Sequence, residues 1–430
     1  MSIGDVDAVF DSHSEPSESV GSDADRNILA PYLALEEPRL VLDLRPDSAF
    51  HRAHLVNSYH ISPVSELRSR YSYLPPRNTP FLVVADLSQQ DQVVEAFAQV
   101  PSAKILYLAA EASGSIATTS QHVLSRSTFF SSAERLRLLR TSGSHQTRVA
   151  AGDHGDDVPR LLFRPSYAVR RTVLGLESDM PSRNSALRVL DLGCGAARDL
   201  AWILHGSRTR SPPCSWAGIG VDSWKAALSR AEQIALDLWL SQEVSAHSPS
   251  FPRCEKLLWA KCSDDGYLEP LIGSGKGKSV RTDADDPLLW KQCQQLGLSP
   301  LLPGPVESAA STNDDETKFD LVLCVRFHPR ALLPRLAQLV RAGGIVLLSH
   351  FVTLSDEQRE AVGLVHPNSS AEYDSPPHEG RIQPGEIEGL VEAWNQSELP
   401  GRSWVIESDV LEPIEDGRII RSVALRKHVQ

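Results

Sequence analysis

Long apolar runs, paired cysteines and an excess of positive charge are all missing from this 430-residue chain. No stretch of about 18 apolar residues occurs, which excludes a membrane-spanning helix and, with it, a membrane partner. Six cysteines are present, Cys194, Cys214, Cys254, Cys262, Cys293 and Cys324. They are scattered without a Cys-x-x-Cys, so no metal site is expected. The segment Met1–Asp25 holds no Lys or Arg and is rich in Ser and acidic residues. It lacks the basic and apolar parts of a secretory signal, and its acidity argues against a transit peptide. The expectation is a disordered acidic tail over residues 1–26 and a cytoplasmic location with reduced thiols. Lys and Arg total 43 against 55 Asp and Glu, a net charge of −12. That balance argues against a nucleic-acid partner, which calls for a basic surface.

What is present begins with Arg188–Asp199, reading RVLDLGCGAARD. An apolar strand delivers Asp191, turns through Gly193 and Gly195, and opens a helix. Glycine lets backbone approach a ligand closely, and the free N–H groups of a helix start point at whatever sits there. The next strand, Trp216–Val221, leads to Asp222, one βαβ unit further on. A carboxylate there is placed to accept hydrogen bonds from a ribose. The dinucleotide fingerprint needs a third glycine where Arg198 stands, so a nicotinamide cofactor fits poorly. Downstream, Phe319–Phe327 reads as a strand, Leu333–Val340 as a helix, and Arg341–Leu348 as a turn and strand. Trp404–Ser408 and Ile419–Leu425 flank Asp416-Gly417, a hairpin signal.

In this order the features resemble the Rossmann-like S-adenosylmethionine (SAM) methyltransferases, with Ala342 in place of the Pro of the family's Pro-Gly-Gly turn. The resemblance implies an α/β fold whose parallel sheet ends in an antiparallel hairpin, and SAM as cofactor. It implies a crevice beyond the carboxyl ends of the strands, built from Asp191, Gly193, Gly195, Asp222, Asp264 and Val325. There Asp222 would bind the ribose, Asp191 would orient the turn and meet the methionine ammonium, and Asp264, after the strand Lys256–Cys262, would meet the adenine amino group. The runs Arg326-Phe327-His328, Ser349-His350-Phe351 and Pro384-Gly385-Glu386 are similar to the tellurite-resistance subgroup, which acts on soft nucleophiles or oxyanions. Arg326, His328 and His350 are the candidate catalytic residues on the acceptor side. Histidine titrates near neutrality and suits general-base work, and Arg326 suits an anionic acceptor. A purely structural role competes for each. A soft thiolate needs no base, because positioning and desolvation suffice.

The N-terminal third alternates strands (Arg39–Arg45, Phe81–Ala85, Lys104–Leu108) with helical segments, which predicts a small α/β domain. Leu42-Asp43-Leu44-Arg45 and Phe50–Leu55 resemble elements of a rhodanese-homology domain over residues 27–112. The nucleophilic Cys of that family would follow the central strand, where this chain has Asp86. A carboxylate cannot carry sulfane sulfur as a thiolate does, so a scaffold or docking role is expected, with Asp43 and Arg45 as a structural ion pair.

Residues 113–158, rich in Ser, Thr, Gly and His, read as a linker, and 159–430 as the methyltransferase domain with an irregular insert over 267–318. Leu161–Tyr167 would lie over the cofactor, with Arg164 and Tyr167 near its methionine end or paired on the surface. The cluster Gly273–Lys278 lacks P-loop spacing and reads as a loop. The leading expectation is a small-molecule methyltransferase whose rhodanese-like domain docks a protein partner. A tRNA or protein methyltransferase, and a non-catalytic SAM-binding protein, are the alternatives.

Overall fold

The computed structural model describes residues 22–37, 39–76, 79–110, 123–141, 161–179, 186–207, 210, 214–241, 252–272, 280–281, 287–303, 317–354, 356–361, 376–414 and 418–429. They form two compact units, divided at residue 162 except that residues 72–76 belong to the second. Among the described residues no helix is long and apolar enough to cross a membrane.

The first unit carries β1 (Val41–Asp43), β2 (Ala53–Leu55), β3 (Ser58–His60), β4 (Phe81–Asp86), β5 (Ala103–Ala109), β6 (Val123–Ser125) and β7 (Leu139–Thr141). Five of these form a parallel sheet in the order β3-β1-β4-β5-β6, and β2 pairs antiparallel with β7. The first five residues of β4 are all buried, as a strand covered on both faces requires.

Two boundaries need correction. The 113–158 linker contains β6, the helix Arg126–Arg135 and β7, which complete this unit. Phe129 and Ala133 of that helix are buried in the core with Tyr32, Leu82 and Leu108; tertiary burial overrides the polar composition. Residues 111–122 and 142–160 lie outside the described residues. The expected tail ends early, because Asp23–Ile28 is a helix with a reciprocal Ser22–Asp25 capping box. Asp25 is buried, paired with Arg135, and accepts from Ser132 Oγ at 2.9 Å. Residues 1–21 lie outside the described residues.

Asp43 and Arg45 form an ion pair at 2.6 Å with both side chains 1% exposed. Arg45 Nη2 also donates to the Ala53 carbonyl at 2.7 Å, and the guanidinium lies over the Phe130 ring. Asp86 pairs with Arg126 at 2.6 Å, and its backbone N–H donates to Gln89 Oε1.

The second unit carries β8 (Leu187–Leu192), β9 (Trp216–Asp222), β10 (Arg253–Cys262), β11 (Leu268–Ile272), β12 (Val280–Arg281), β13 (Phe319–Val325), β14 (Val340–Phe351), β15 (Arg402–Pro413) and β16 (Ile419–Val429). The sheet order is β12-β11-β10-β9-β8-β13-β14-β16-β15. The five strands from β10 to β14 in that order are parallel, and β16 returns antiparallel between β14 and β15. This is the expected α/β arrangement, a Rossmann-like parallel sheet that ends in an antiparallel strand pair. The hairpin turn, Asp416-Gly417, lies outside the described residues. From β8 the chain winds outward to β9 and β10, then crosses back to β13 and β14. The switch point therefore lies between β8 and β13, where ligands of open α/β sheets bind.

The helix Arg198–Gly206 buries Leu200, Ala201, Ile203 and Leu204, and Lys225–Asp237 buries Ala227, Leu228, Ala231 and Ile234, each a single apolar stripe. The expected helix over 333–340 stops at Leu336, because Val340 already pairs with Phe319 at the start of β14. The 267–318 insert is partly regular: β11 and β12 extend the sheet antiparallel, and the helix Pro287–Gln295 follows. Leu268, Cys293, Leu298 and Leu301 of this segment join the main core. The cluster Gly273–Lys278 lies outside the described residues.

Candidate functional site

The turn after β8 owes its shape to three left-handed residues, Gly193 (φ 73°), Gly195 (φ 54°) and Ala197 (φ 55°). The Gly193 and Cys194 N–H groups donate to the Val221 carbonyl at 2.8 and 3.1 Å, which ties the turn to the end of β9. A Cβ on Gly193 would meet Phe327 at 2.5 Å.

Asp222 closes the same corner. Its Oδ2 accepts from Gly195 N at 2.8 Å and its Oδ1 from Trp224 N at 2.7 Å. The half-buried carboxylate thus clamps the glycine turn to the start of the next helix. Asp191, at the end of β8, is 2% exposed. Burial, followed by the charges of Asp199 and Asp222, pushes its carboxyl well above the ordinary range. Asp199, which the sequence reading passed over, is also raised by burial, with Arg198 and Arg326 opposing. Three carboxylates therefore converge on one corner, and two of them resist ionisation.

Trp224 is 58% exposed beside Asp222. Trp259 pairs in register with Asp222 across β9 and β10, and its Nε1 donates to Ser223 O at 2.9 Å. Neither indole was foreseen; an aromatic two residues beyond the second acid was the available signal. Asp264 lies five residues past Trp259, in an exposed turn closed by Ser263 N donating to Tyr267 O at 2.8 Å.

On the other side of the switch point, Val325 ends β13 in register with Ser349. Arg326 follows in a left-handed conformation (φ 55°), its N–H donating to Ser349 O at 2.6 Å. His328 and His350 come together as stacked rings 5.5 Å apart and 14° from parallel. His328 Nε2 is 2.9 Å from Glu386 Oε1. Glu386 also receives Arg330, whose Nη2 is 3.0 Å from Oε2, and the Gln383 N–H at 2.8 Å. Burial works against the Glu386 charge, but these donors bring its pKa down to about 2. Burial lowers both imidazoles, with His350 reaching about 4 beside His328. Both rings are therefore neutral near pH 7. Among the described residues no group of three or more His, Cys, Asp or Glu side chains is arranged to hold a metal ion.

No protein-family profile matches the chain. The protein UNK4.09 of Schizosaccharomyces pombe, itself uncharacterized, is 28% identical over 267 residues, which is 62% of this chain. The chain spans 64% of that relative's length. Solved structures similar to it include an arsenic(III) S-adenosylmethionine methyltransferase from Chlamydomonas reinhardtii, at 15% identity and a TM-score of 0.30 over 61% of this chain and 74% of that one. A SAM-dependent methyltransferase from Methanosarcina mazei matches at 11% identity and a TM-score of 0.28, over 59% of this chain and 98% of that one. The YcgJ protein from a Bacillus matches at 15% identity and a TM-score of 0.30, over 60% and 99%.

Proposed function

We propose that the second unit is a SAM-dependent methyltransferase acting on a small molecule, and that the first is a rhodanese-like docking module without sulfurtransferase activity. The observation that carries the reading is the acid-lined corner of Asp191, Asp199 and Asp222 beside a glycine turn at the switch point. SAM brings an ammonium, a sulfonium and a ribose diol. A cationic ligand relieves the mutual repulsion of clustered carboxylates, and the open space where Gly195 lacks a Cβ admits a sugar. The residues therefore fit the group. Asp191 would face the ammonium, Asp222 the ribose hydroxyls, and the Trp224 and Trp259 indoles would flank the base.

Bound SAM supplies an activated methyl group. The chain supplies position, exclusion of water and the polar side chains Arg326, His328 and His350 on the acceptor side. Calorimetry with SAM and S-adenosylhomocysteine tests this reading: both are expected to bind to wild type, and Asp222→Ala to lose most of that binding. No heat from either ligand on the wild-type protein sinks the enzymatic reading.

The docking reading of the first unit is supported by its parallel sheet, by the absence of any cysteine before Cys194, and by Asp86 being held by Arg126. A thiosulfate–cyanide assay on the full chain is expected to be blank, and thiocyanate formation refutes it.

A further inference from the structure

Resting on the methyltransferase reading, we propose that Glu386 and His328 form a base dyad, and that the methyl acceptor presents a hydroxyl or amine proton to Nδ1 of His328. The geometry assigns the tautomer. Glu386 is ionised and accepts, so Nε2 of His328 carries the hydrogen at 2.9 Å, and Nδ1 carries the lone pair. That side chain is 2% exposed, yet Nδ1 has no hydrogen-bond partner among the described residues. His350 repeats the arrangement. Its ring hydrogen-bonds the Gly380 backbone, and its Nδ1 is likewise buried without a partner.

A buried acceptor without a donor costs free energy, and two in stacked rings mark a place completed by an incoming donor. The place lies where methyl transfer needs it. His328 follows Phe327, which packs on the Gly193 turn, and His350 lies near the carboxyl end of the neighbouring β14. The pair is covered by residues 376–386, held down by Arg330 bonding to the Glu379 and Arg381 carbonyls and by Ile382 N donating to Phe351 O at 2.8 Å.

The proton balance closes on these residues. As the acceptor's oxygen or nitrogen bonds to the methyl carbon, its O–H or N–H bond breaks and the proton passes to Nδ1. The donor's carbon–sulfur bond breaks with its electron pair left on sulfur. The resulting imidazolium faces the Glu386 carboxylate, with Arg330 and His350 as the other titratable or charged groups around it. Glu386 is a positioning residue in the manner of the carboxylate that fixes a catalytic imidazole. A thiolate or an oxyanion has no proton to give, so the dyad selects a protic acceptor over the soft nucleophile expected from sequence.

The competing role, in which the pair merely pins the 376–386 segment, is separated by nitrogen-15 NMR on the full chain labelled at histidine, with phenol as the protic probe. The expected result is an Nε2–H tautomer of His328 at pH 7 and a shift of its Nδ1 resonance on adding phenol. That response is expected to be lost in His328→Gln, whose amide keeps the contact to Glu386, and the tautomer preference to be lost in Glu386→Gln. An Nδ1–H tautomer in wild type, or an Nδ1 resonance unmoved by saturating phenol, overturns the dyad. Calorimetry with SAM on the same sample separates the two failures. SAM binding with an unmoved Nδ1 overturns the dyad alone, whereas absent SAM binding overturns the methyltransferase reading and the dyad's role in methyl transfer together.

Discussion

Phe327, two residues past the end of β13, occupies the space that a side chain on Gly193 would need: a Cβ there would stand 2.5 Å from the Cβ and Cγ of Phe327. Gly193 is also at φ 73°. The Gly193 turn and the loop after β13 are therefore packed backbone against ring. Gly193→Ala is expected to destabilise the protein by about 1–3 kcal/mol from backbone strain and to weaken SAM binding about tenfold or more. Phe327→Gly in the same chain removes the clash but not the strain. Partial recovery, with a coupling of about 0.5–3 kcal/mol in a double-mutant cycle, is the expected calorimetric result.

The strands were legible because parallel strands buried on both faces leave unbroken apolar runs, as in Phe81–Ala85 and Leu321–Cys324. The corner of Asp191, Gly195 and Asp222 was legible because one βαβ unit carries all three. Asp199 was not, since a first-turn acid in a helix reads as a favourable dipole partner and only burial reveals its other company. The Arg126–Arg135 helix was hidden by its Ser-rich surface, and its identity rests on Phe129 and on Arg135 reaching Asp25, 110 positions away. The His328–Glu386 contact spans 58 positions, a separation that no local pattern encodes.

Asp191 separates stability from binding. Burial and the neighbouring Asp199 and Asp222 raise its carboxyl above the unfolded value. A raised carboxylate favours folding when protonated, and that contribution is lost as pH rises through the folded pKa. At pH 7 the cost is present, so Asp191→Asn is expected to raise the melting temperature of the unliganded protein. The same change removes the carboxyl that the ligand ammonium would draw into its ionised form, a hydrogen bond to a charged group worth about 1.5–3 kcal/mol, so SAM affinity is expected to fall about ten- to a hundredfold. A variant that melts lower and binds SAM normally contradicts both halves of the argument.

The buried pair of the first unit offers a control that leaves the second untouched. With Asp43 and Arg45 both 1% exposed, Arg45→Met leaves an uncompensated carboxylate in the core, at a cost of about 3–5 kcal/mol. Replacing both partners with apolar residues of similar volume is expected to restore most of it. Denaturant unfolding of the two variants checks this, with SAM binding expected to persist below the new midpoint.

The imidazole pair imposes a pH dependence of opposite sign to that of Asp191. Burial, with His328 alongside, holds His350 at about 4, below its ordinary 6.5. A base whose folded pKa is depressed gives its full stability above the unfolded pKa and loses it as pH falls through the folded one. The loss therefore runs from about pH 6.5 down to 4, a window above the one in which Glu386, at about 2, gives up its own contribution. His328 shifts in the same direction, with Glu386 opposing. His350→Gln carries no ring to protonate, so its unfolding free energy is expected to fall less steeply than wild type between pH 6.5 and 4 and in parallel with it below. Denaturant midpoints at half-unit pH steps make the comparison, and identical slopes across that window in the two proteins count against a buried neutral His350.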